Sequence, residues 1–285
     1  MISPRVLRRR IKSIQSTAKI TRAMEMIATA KMRRAQEQAT AGRPYSDKIT
    51  RLISDLAAET VEKPLHPLLE RRVEIKRIGI VHITSDKGLC GGLNSNINRL
   101  CGKFILEQEV PVSIVGVGNR GLQFMHRANR DIRADFTKMS DRPTLLETLP
   151  VSRIIIDDYI SGHMDLVYLS YNKFISTMSQ SPTIEPLLPI QPTDIPKTET
   201  TEFIYEPEPS FVLGELLPRY IEMRIYQAIL EGIASEHSAR MIAMRNATDN
   251  ANDIIDHLTL VLNKARQESI TTELLDISGG VEVLH

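Results

Sequence analysis

Tryptophan is absent from this 285-residue chain, and aromatic residues of all kinds make up only 5% of it. A broad sandwich core draws on large rings, so the composition fits narrow helix–helix seams filled by Ala, Ile, Leu and Met better. Cysteine is nearly absent too. Cys90 and Cys101 are the only two, and they form no CxxC pair, which excludes a disulfide scaffold and favours a reducing compartment. No apolar run approaches the roughly 18 residues a membrane span needs. The basic N-terminus lacks the apolar stretch and small-residue cleavage site of a secretory signal. Seven histidines are present, none at a metal-ligand spacing. A net charge of +1 excludes a uniformly basic or acidic protein but hides a gradient. Eleven Lys or Arg and two acids, Glu25 and Glu37, lie between Met1 and Arg43, whereas Gln267 to His285 holds four acids and no Lys or Arg.

Proline and glycine are scarce where the pattern is most regular. No Pro follows Pro218, and Gly232 is the only Gly between there and Gly279. Across that stretch apolar residues alternate steps of three and four, from Leu213, Leu216 and Tyr220 through Met241, Met244 and Thr248 to Leu258, Leu262 and Ala265. This is a coiled-coil seam. A helix from Ser210 to Ser278 would be roughly 100 Å long, against about 30 Å for a small domain. Such a rod must reach into something else.

Ser3-Pro4 is an N-cap with Pro at the first helical position. Leu7, Ile11, Ile14, Ala18 and Thr21 mark one stripe after it. Met24 and Ile27 extend the stripe with a small phase shift, and Ile49, Leu52 and Leu56 resume it. Pro44 is expected to bend or interrupt this helix, which ends near Ala58. Between Val73 and Ser176 the period changes. Strands are expected at Arg77–Thr84, Val112–Val117 and Asp165–Ser170, and helices at Asn94–Glu107, Asn119–His126 and Thr144–Ser161. Strands alternating with helices imply a small α/β domain with a mainly parallel sheet. From Ser179 to Pro209 seven prolines mark a connector.

The expected fold is therefore an inserted Rossmann-like α/β domain (residues 73–200) flanked by an N-terminal helix (1–58) and a C-terminal helix and tip (210–285). The two helices pair antiparallel as a long coiled coil, since a lone amphipathic helix gains little without a partner for its apolar face. If Ala58 and Ser210 lie level, the N-terminal helix runs out opposite about Lys264. Ile270, Leu274, Leu275, Ile277, Val281, Val283 and Leu284 then project as an unpartnered apolar tip, which marks an interface.

Two loops invite sharper readings. Gly116-Val117-Gly118-Asn119-Arg120-Gly121 satisfies G-x-G-x-x-G between a strand and a helix, with Asp131 and Asp135 downstream. It follows the second strand, however, whereas a dinucleotide fingerprint belongs to the first. It reads better as a tight turn. Ser85 to Asn94 resembles a phosphate cradle at a helix start but lacks the P-loop spacing, with Lys87 ahead of Gly88. Neither loop implies catalysis. Arg8-Arg9-Arg10, Lys31, Arg33 and Arg34 could serve nucleic acid, an anionic membrane, or an acidic protein surface. Met24, Met241 and Met244 read as core packing, and Cys90 and Cys101 as small buried apolar residues.

Several blocks carry a resemblance. Lys19-Ile20-Thr21-Arg22-Ala23-Met24-Glu25-Met26-Ile27-Ala28, Thr84 to Asn94, Tyr205-Glu206-Pro207-Glu208-Pro209, Ser235 to Met244, Ala247-Thr248-Asp249-Asn250 and Asn263 to Thr271 stand in order along essentially the whole sequence. Together they resemble the bacterial F-type ATP synthase gamma subunit. The resemblance implies a non-catalytic rotor shaft, one copy per complex, with no cofactor and no nucleic-acid partner. Its two terminal helices would turn inside a head of alpha and beta subunits. Its α/β foot would rest on an epsilon subunit and a membrane ring of c subunits, at the cytoplasmic face of the membrane. By matching motifs, Met24, Arg266, Gln267, Thr271 and Glu273 would engage the head, and Tyr205 and Glu206 the foot's partners. The departing readings are a coiled-coil adaptor whose α/β domain binds a nucleotide, and a basic nucleic-acid-binding arm.

Overall fold

The computed structural model describes residues 3–59, 66–191 and 208–282. In chain order the elements are α1 (Pro4–Glu59), a 3₁₀ turn (Pro67–Leu69), β1 (Ile78–Ile83), α2 (Leu93–Leu106), β2 (Val112–Val117) and α3 (Asn119–Arg127). Then follow β3 (Asp131–Phe136), α4 (Leu145–Ile160), β4 (Leu166–Ser176), β5 (Ser179–Leu188) and α5 (Pro209–Glu282). The chain forms two compact units, Thr29–Ala239 and Met1–Ala28 with Arg240–His285. Pro44 lies inside α1 without ending it, so the expected interruption does not occur.

In the larger unit five strands form one sheet in the order β3-β2-β1-β4-β5. β1 pairs in parallel with β2 and β4, and β2 with β3, while β5 returns antiparallel along β4. The mainly parallel α/β reading holds, with two strands added. β3 is a charged edge strand, Asp131-Ile132-Arg133-Ala134-Asp135-Phe136, in which only alternate residues are partly covered. β5 contains Pro182 and Pro186, which an edge strand tolerates because only one side of it donates to the ladder. The prolines that mark a connector in the sequence thus include two inside a strand.

The sheet separates two apolar layers. On one side Ile78, Ile80 and Ile114 meet Cys101 and Ile105 of α2 and Met125 of α3. On the other, Val81, Ile83, Val115, Val167 and Leu169 meet Val151, Ile155 and Tyr159 of α4, Ile49 and Ile53 of α1, and Leu213, Leu217, Ile221, Ile225 and Ile229 of α5. This second layer changes the picture of α5. Leu213, Met223 and Leu230 of the expected seam are buried, but so are Leu217, Ile221, Ile225, Ala228 and Ile229, which lie off it. The helix is covered on several flanks here because the sheet takes one face and α1 another. Asp165 staples the entry to β1. Its carboxylate accepts from the backbone N–H of Lys76 (2.7 Å) and Arg77 (3.0 Å) and from Arg72 Nη1 (2.7 Å). Burial alone would raise this carboxyl, and those donors with the Arg72 charge outweigh it and hold it low.

In the smaller unit Leu7, Ala18, Thr21 and Ala28 of α1 are buried, as are Met241, Met244, Thr248 and Ala251 of α5. Ile27, expected on the seam, is 56% exposed, and Ala28 takes its place. Seven residues are close to two turns, so a straight helix carries the stripe from Thr21 to Ala28.

His82 is fully enclosed between β1 and α2. Nε2 lies 2.9 Å from Asn98 Oδ1 and Nδ1 3.1 Å from Ser170 Oγ. Asn98 Nδ2 donates to the Arg120 carbonyl, which leaves Oδ1 to accept from Nε2–H and makes Nδ1 the acceptor. Burial lowers the His82 pKa to about 4, against the opposing Asn98 hydrogen bond. Above pH 6.5 the ring is neutral folded or unfolded. Below it the unfolded chain takes up a proton that the folded chain refuses until about pH 4, so stability falls through that window. Unfolding in denaturant should show a loss on the order of 2 kcal/mol from pH 7 to pH 5. His82→Gln should flatten that slope. An equal slope in both proteins would assign the acid sensitivity elsewhere.

Candidate partner interface

The loops after β1 and β2 are where an α/β sheet of this topology holds a phosphate. The first donors of α3 are all taken by the chain itself. Asn119 N–H donates to Asp86 Oδ1 (2.9 Å), Arg120 N–H to the Ser85 carbonyl (3.0 Å) and Gly121 N–H to Thr84 Oγ1 (2.8 Å). The second Asp86 oxygen accepts from Lys138 N–H (2.9 Å). An internal carboxylate therefore occupies the place where a pyrophosphate would sit, and it ties α3 to the loop after β3. The glycines serve packing. Gly118 has φ +90°, and a Cβ there would overlap the Thr84 carbonyl; a Cβ on Gly121 would strike His82 and Thr84. The G-x-G-x-x-G run is the tight turn of the sequence reading. Around it Ser85 accepts from and donates to its neighbours through Asn94, whose Nδ2 reaches Ser85 Oγ (2.7 Å) and Cys90 Sγ (3.2 Å). Cys101 is buried as well, which pushes its thiol up to about 12 despite a Ser170 hydrogen bond.

The residues predicted to engage the head, Met24, Arg266, Gln267, Thr271 and Glu273, lie in the smaller unit. Thr21 Oγ1 and Thr248 Oγ1 meet across its seam at 2.7 Å, and Arg245 Nε donates to Glu25 Oε1 at 2.9 Å. Counting outward from the threonine pair in antiparallel register brings Pro4, the first residue of α1, level with Ala265. The burial follows this count. Ile255, Leu258, Leu262 and Ala265 are half-buried, and every residue from Arg266 to Leu275 is exposed. Met24 is half-buried beside the seam. Arg266, Gln267, Thr271 and Glu273 are brought together only by the helix: Thr271 Oγ1 donates to the Gln267 carbonyl (2.9 Å) and Ser269 Oγ to Glu273 Oε1 (3.4 Å). Ile270, Leu274 and Leu275 stand 44%, 62% and 67% exposed among them. Tyr205 and Glu206 fall outside the described residues.

Comparison with known proteins decides the family. The ATP synthase family model matches residues 3–284. The chain belongs to the ATP synthase gamma chain family. It is 57% identical over 285 residues to the ATP synthase gamma chain of Dehalococcoides mccartyi strain CBDB1, with all of both chains covered. Against the gamma chain of Azoarcus sp. strain BH72 it is 43% identical, covering 98% of this chain and 99% of that one. Among solved structures, a chain of the Tetrahymena thermophila mitochondrial ATP synthase central stalk and c-ring aligns with a TM-score of 0.65 at 25% identity, over 80% of this chain and 99% of that one. A chain of the Euglena gracilis mitochondrial ATP synthase aligns with a TM-score of 0.69 at 19% identity, over 99% and 94%, and shows the shared fold.

Three large apolar residues of this unit stand outward, Ile27 among them against its expected seam position. Ile20, Met26 and Ile27 of α1 are 60%, 63% and 56% exposed. Strict period counting would have found them, since Ile20 and Ile27 are seven apart and lie one step off the Ala18–Thr21–Ala28 stripe.

Four substitutions bear on stability. Thr21→Val or Thr248→Val alone should cost about 0.5–1 kcal/mol, because the remaining hydroxyl loses its partner across the seam but keeps a carbonyl of its own helix, Ala18 for Thr21 and Met244 for Thr248. Gly118→Ala should cost upwards of about 3 kcal/mol in the same unfolding assay. Gly91→Ala, at φ +59° with open space around the new Cβ, should cost about 1–2 kcal/mol.

Proposed function

We infer that this chain is the central rotor shaft of an F-type ATP synthase, coupling proton flow through a membrane sector to ATP synthesis and hydrolysis in a separate catalytic head by rotation. The observation that carries this is an antiparallel helix pair whose longer helix runs on beyond its partner as a bare apolar end, in a chain that matches gamma chains along its full length. A shaft works by linkage. If it makes different contacts with three otherwise equivalent catalytic subunits, it biases each toward a different open or closed state, and turning it passes those states round the ring. The work done is the difference in contact free energy between orientations, so the shaft has to be stiff and asymmetric, and it needs no catalytic group of its own.

In finer terms, we assign the smaller unit to an alpha/beta head and the α/β foot, residues 73–200, to an epsilon subunit and the c ring, with the complex peripheral to the cytoplasmic face of a bacterial membrane. Met24, Arg266, Gln267, Thr271 and Glu273 are the proposed head contacts, and Tyr205 and Glu206 the proposed foot contacts. Three features support this reading. The exposed apolar residues Ile20, Ile27, Ile270, Leu274 and Leu275 need covering. Among the described residues, the bonds of Gln267, Thr271 and Glu273 stay within α5, and Arg266 is exposed beside them. And no helix among the described residues is long and apolar enough to cross a membrane, so attachment falls to a partner.

Pull-down of the tagged chain from solubilised membranes should recover a membrane ATPase whose hydrolytic subunits are separate polypeptides. Recovery of nucleic acid or of unrelated proteins alone would refute the assignment. Truncation from Ile270 should leave the complex assembled but lower ATP-driven ion pumping several-fold at similar ATPase activity. Undiminished pumping by the truncated complex would remove the tip from the coupling path.

A further inference from the structure

One turn of α5, Ser235 to Ser238, is held by directional bonds from two flanks. Ser235 and Ser238 are three residues apart and share a face; both are fully buried, at 0% exposure. Ser235 Oγ donates to the Asn172 carbonyl of β4 at 2.9 Å. Ser238 Oγ donates to the Thr177 carbonyl, in the turn between β4 and β5, at 2.5 Å. Ser238 Oγ also accepts from Gln180 Nε2 of β5 at 3.2 Å, and Gln180 Nε2 reaches the Thr177 carbonyl itself at 3.1 Å. The β4–β5 hairpin thus lies directly on the helix, where only a small hydroxyl fits between them. On another flank of the same turn, His237 Nε2 faces Asp141 Oδ1 at 3.6 Å, and the other Asp141 oxygen accepts from Lys31 Nζ of α1 at 2.5 Å. Burial would raise the Asp141 carboxyl, but the Lys31 hydrogen bond and charge, with His237 and Lys87 adding, hold it below its usual range. It stays a carboxylate and keeps its ion pair with Lys31.

Below this turn α5 meets the sheet through aliphatic side chains, Leu213, Leu217, Ile221, Ile225 and Ile229. Apolar burial is strong but non-directional. Close packing of these side chains already opposes roll, since a rolled helix would set Ala228 or Leu230 where Ile229 sits, but it restrains angle only through shape. Hydrogen bonds restrict angle as well as distance. We propose that the Ser235–Ser238 turn is the torsional clutch of the shaft. Ser235 and Ser238 on the hairpin flank, and Asp141 bridging Lys31 and His237 on the other, fix the angle of α5 against the α/β foot and pass torque between them. They are positioning residues, acting through the angle of α5. The proposal deepens the shaft reading and rests on it.

The test uses the assembled complex, with the head fixed to a surface and a bead on an exposed residue of α2. Angular fluctuations of the bead at a catalytic pause report torsional stiffness. In Ser235→Ala/Ser238→Ala the variance of the pause angle should at least double, each single variant should give part of that, and Asp141→Asn should widen it independently. ATPase activity should stay within about twofold of the parent, while ATP-driven pumping against a back-pressure falls several-fold. A merely structural role would lower the melting temperature without widening the pause angle. Unchanged variance in the two single Ser→Ala variants, which remove one hydroxyl each, would overturn the clutch whether or not the double variant assembles. A parent complex that shows no rotation at all would instead sink the shaft reading on which the clutch depends.

Discussion

Enclosure of α5 on several flanks is the constraint from which the larger unit follows. Between Leu213 and Ala239 the helix carries two interleaved sets of apolar residues, the seam set with Met223 and Leu230 and the sheet set with Leu217, Ile221 and Ile225. A helix apolar on several faces is stable only inside other structure. The sheet, α1 and the β4–β5 hairpin supply it, and each has a reason to be where it is. The parallel strands put Val81, Ile83, Val115 and Leu169 on the face toward α4 and α5. The hairpin extends that face along the helix. Small residues, Ala35 and Ala39 on α1 and Ala228 and Ala234 on α5, are the buried positions where bulk would hold the helices apart. Past Arg240 the sheet set ends and α5 returns to a plain seam.

The α/β sheet shows how a strand, glycine turn and helix start can be satisfied from within the chain. Strand, tight glycine turn and helix are all present at Gly116–Gly121, and the helix start has the N–H groups that would bind a phosphate. Asp86 supplies the negative charge instead. Because both of its oxygens are engaged, by Asn119 and by Lys138, the carboxylate is a structural tie between two loops. Function therefore has to be argued from the helices and their exposed faces, since the sheet alone resembles many unrelated proteins.

Much of this was legible in the sequence, for reasons of period. β2 matches its expected bounds, and β1, α2, α3 and α4 fall within one residue or two, because their apolar spacing and their Gly and Pro boundaries agree. β3 and β5 were hidden. An edge strand needs few apolar residues, so Asp131 to Phe136 reads as a polar loop and Ser179 to Leu188 as a proline-rich linker. The flanks of α5 were half legible, since a three-and-four spacing reveals one seam and masks a second one woven through it. At the candidate interface Met24, Arg266, Gln267, Thr271 and Glu273 came from motif resemblance, which gives identity without geometry. The exposed Ile20 and Ile27 are a matter of phase. One residue's shift along α1, from Ile27 to Ala28, exchanges a seam position for a surface one.

The same phase argument bears on the end of α5. From Arg266 to Leu275 every residue is exposed, so the segment stands as an extension of the helix before it with little packing of its own. It is also not built to be left in water. Ile270, Leu274 and Leu275 are large and exposed, and the charges among them are sparse, with Arg266, Glu268 and Glu273 the only ones between Ala265 and Leu275. A binding surface that gripped this segment with many specific ion pairs would favour one orientation and oppose rotation. Aliphatic contacts cost little to exchange for equivalent ones a fraction of a turn later, because apolar burial depends on area and hardly on direction. Under the shaft reading, the scarcity of charge at the end and the directional bonds at Ser235 and Ser238 are complementary requirements on one helix, loose in angle where it turns in its socket and fixed in angle where it is driven.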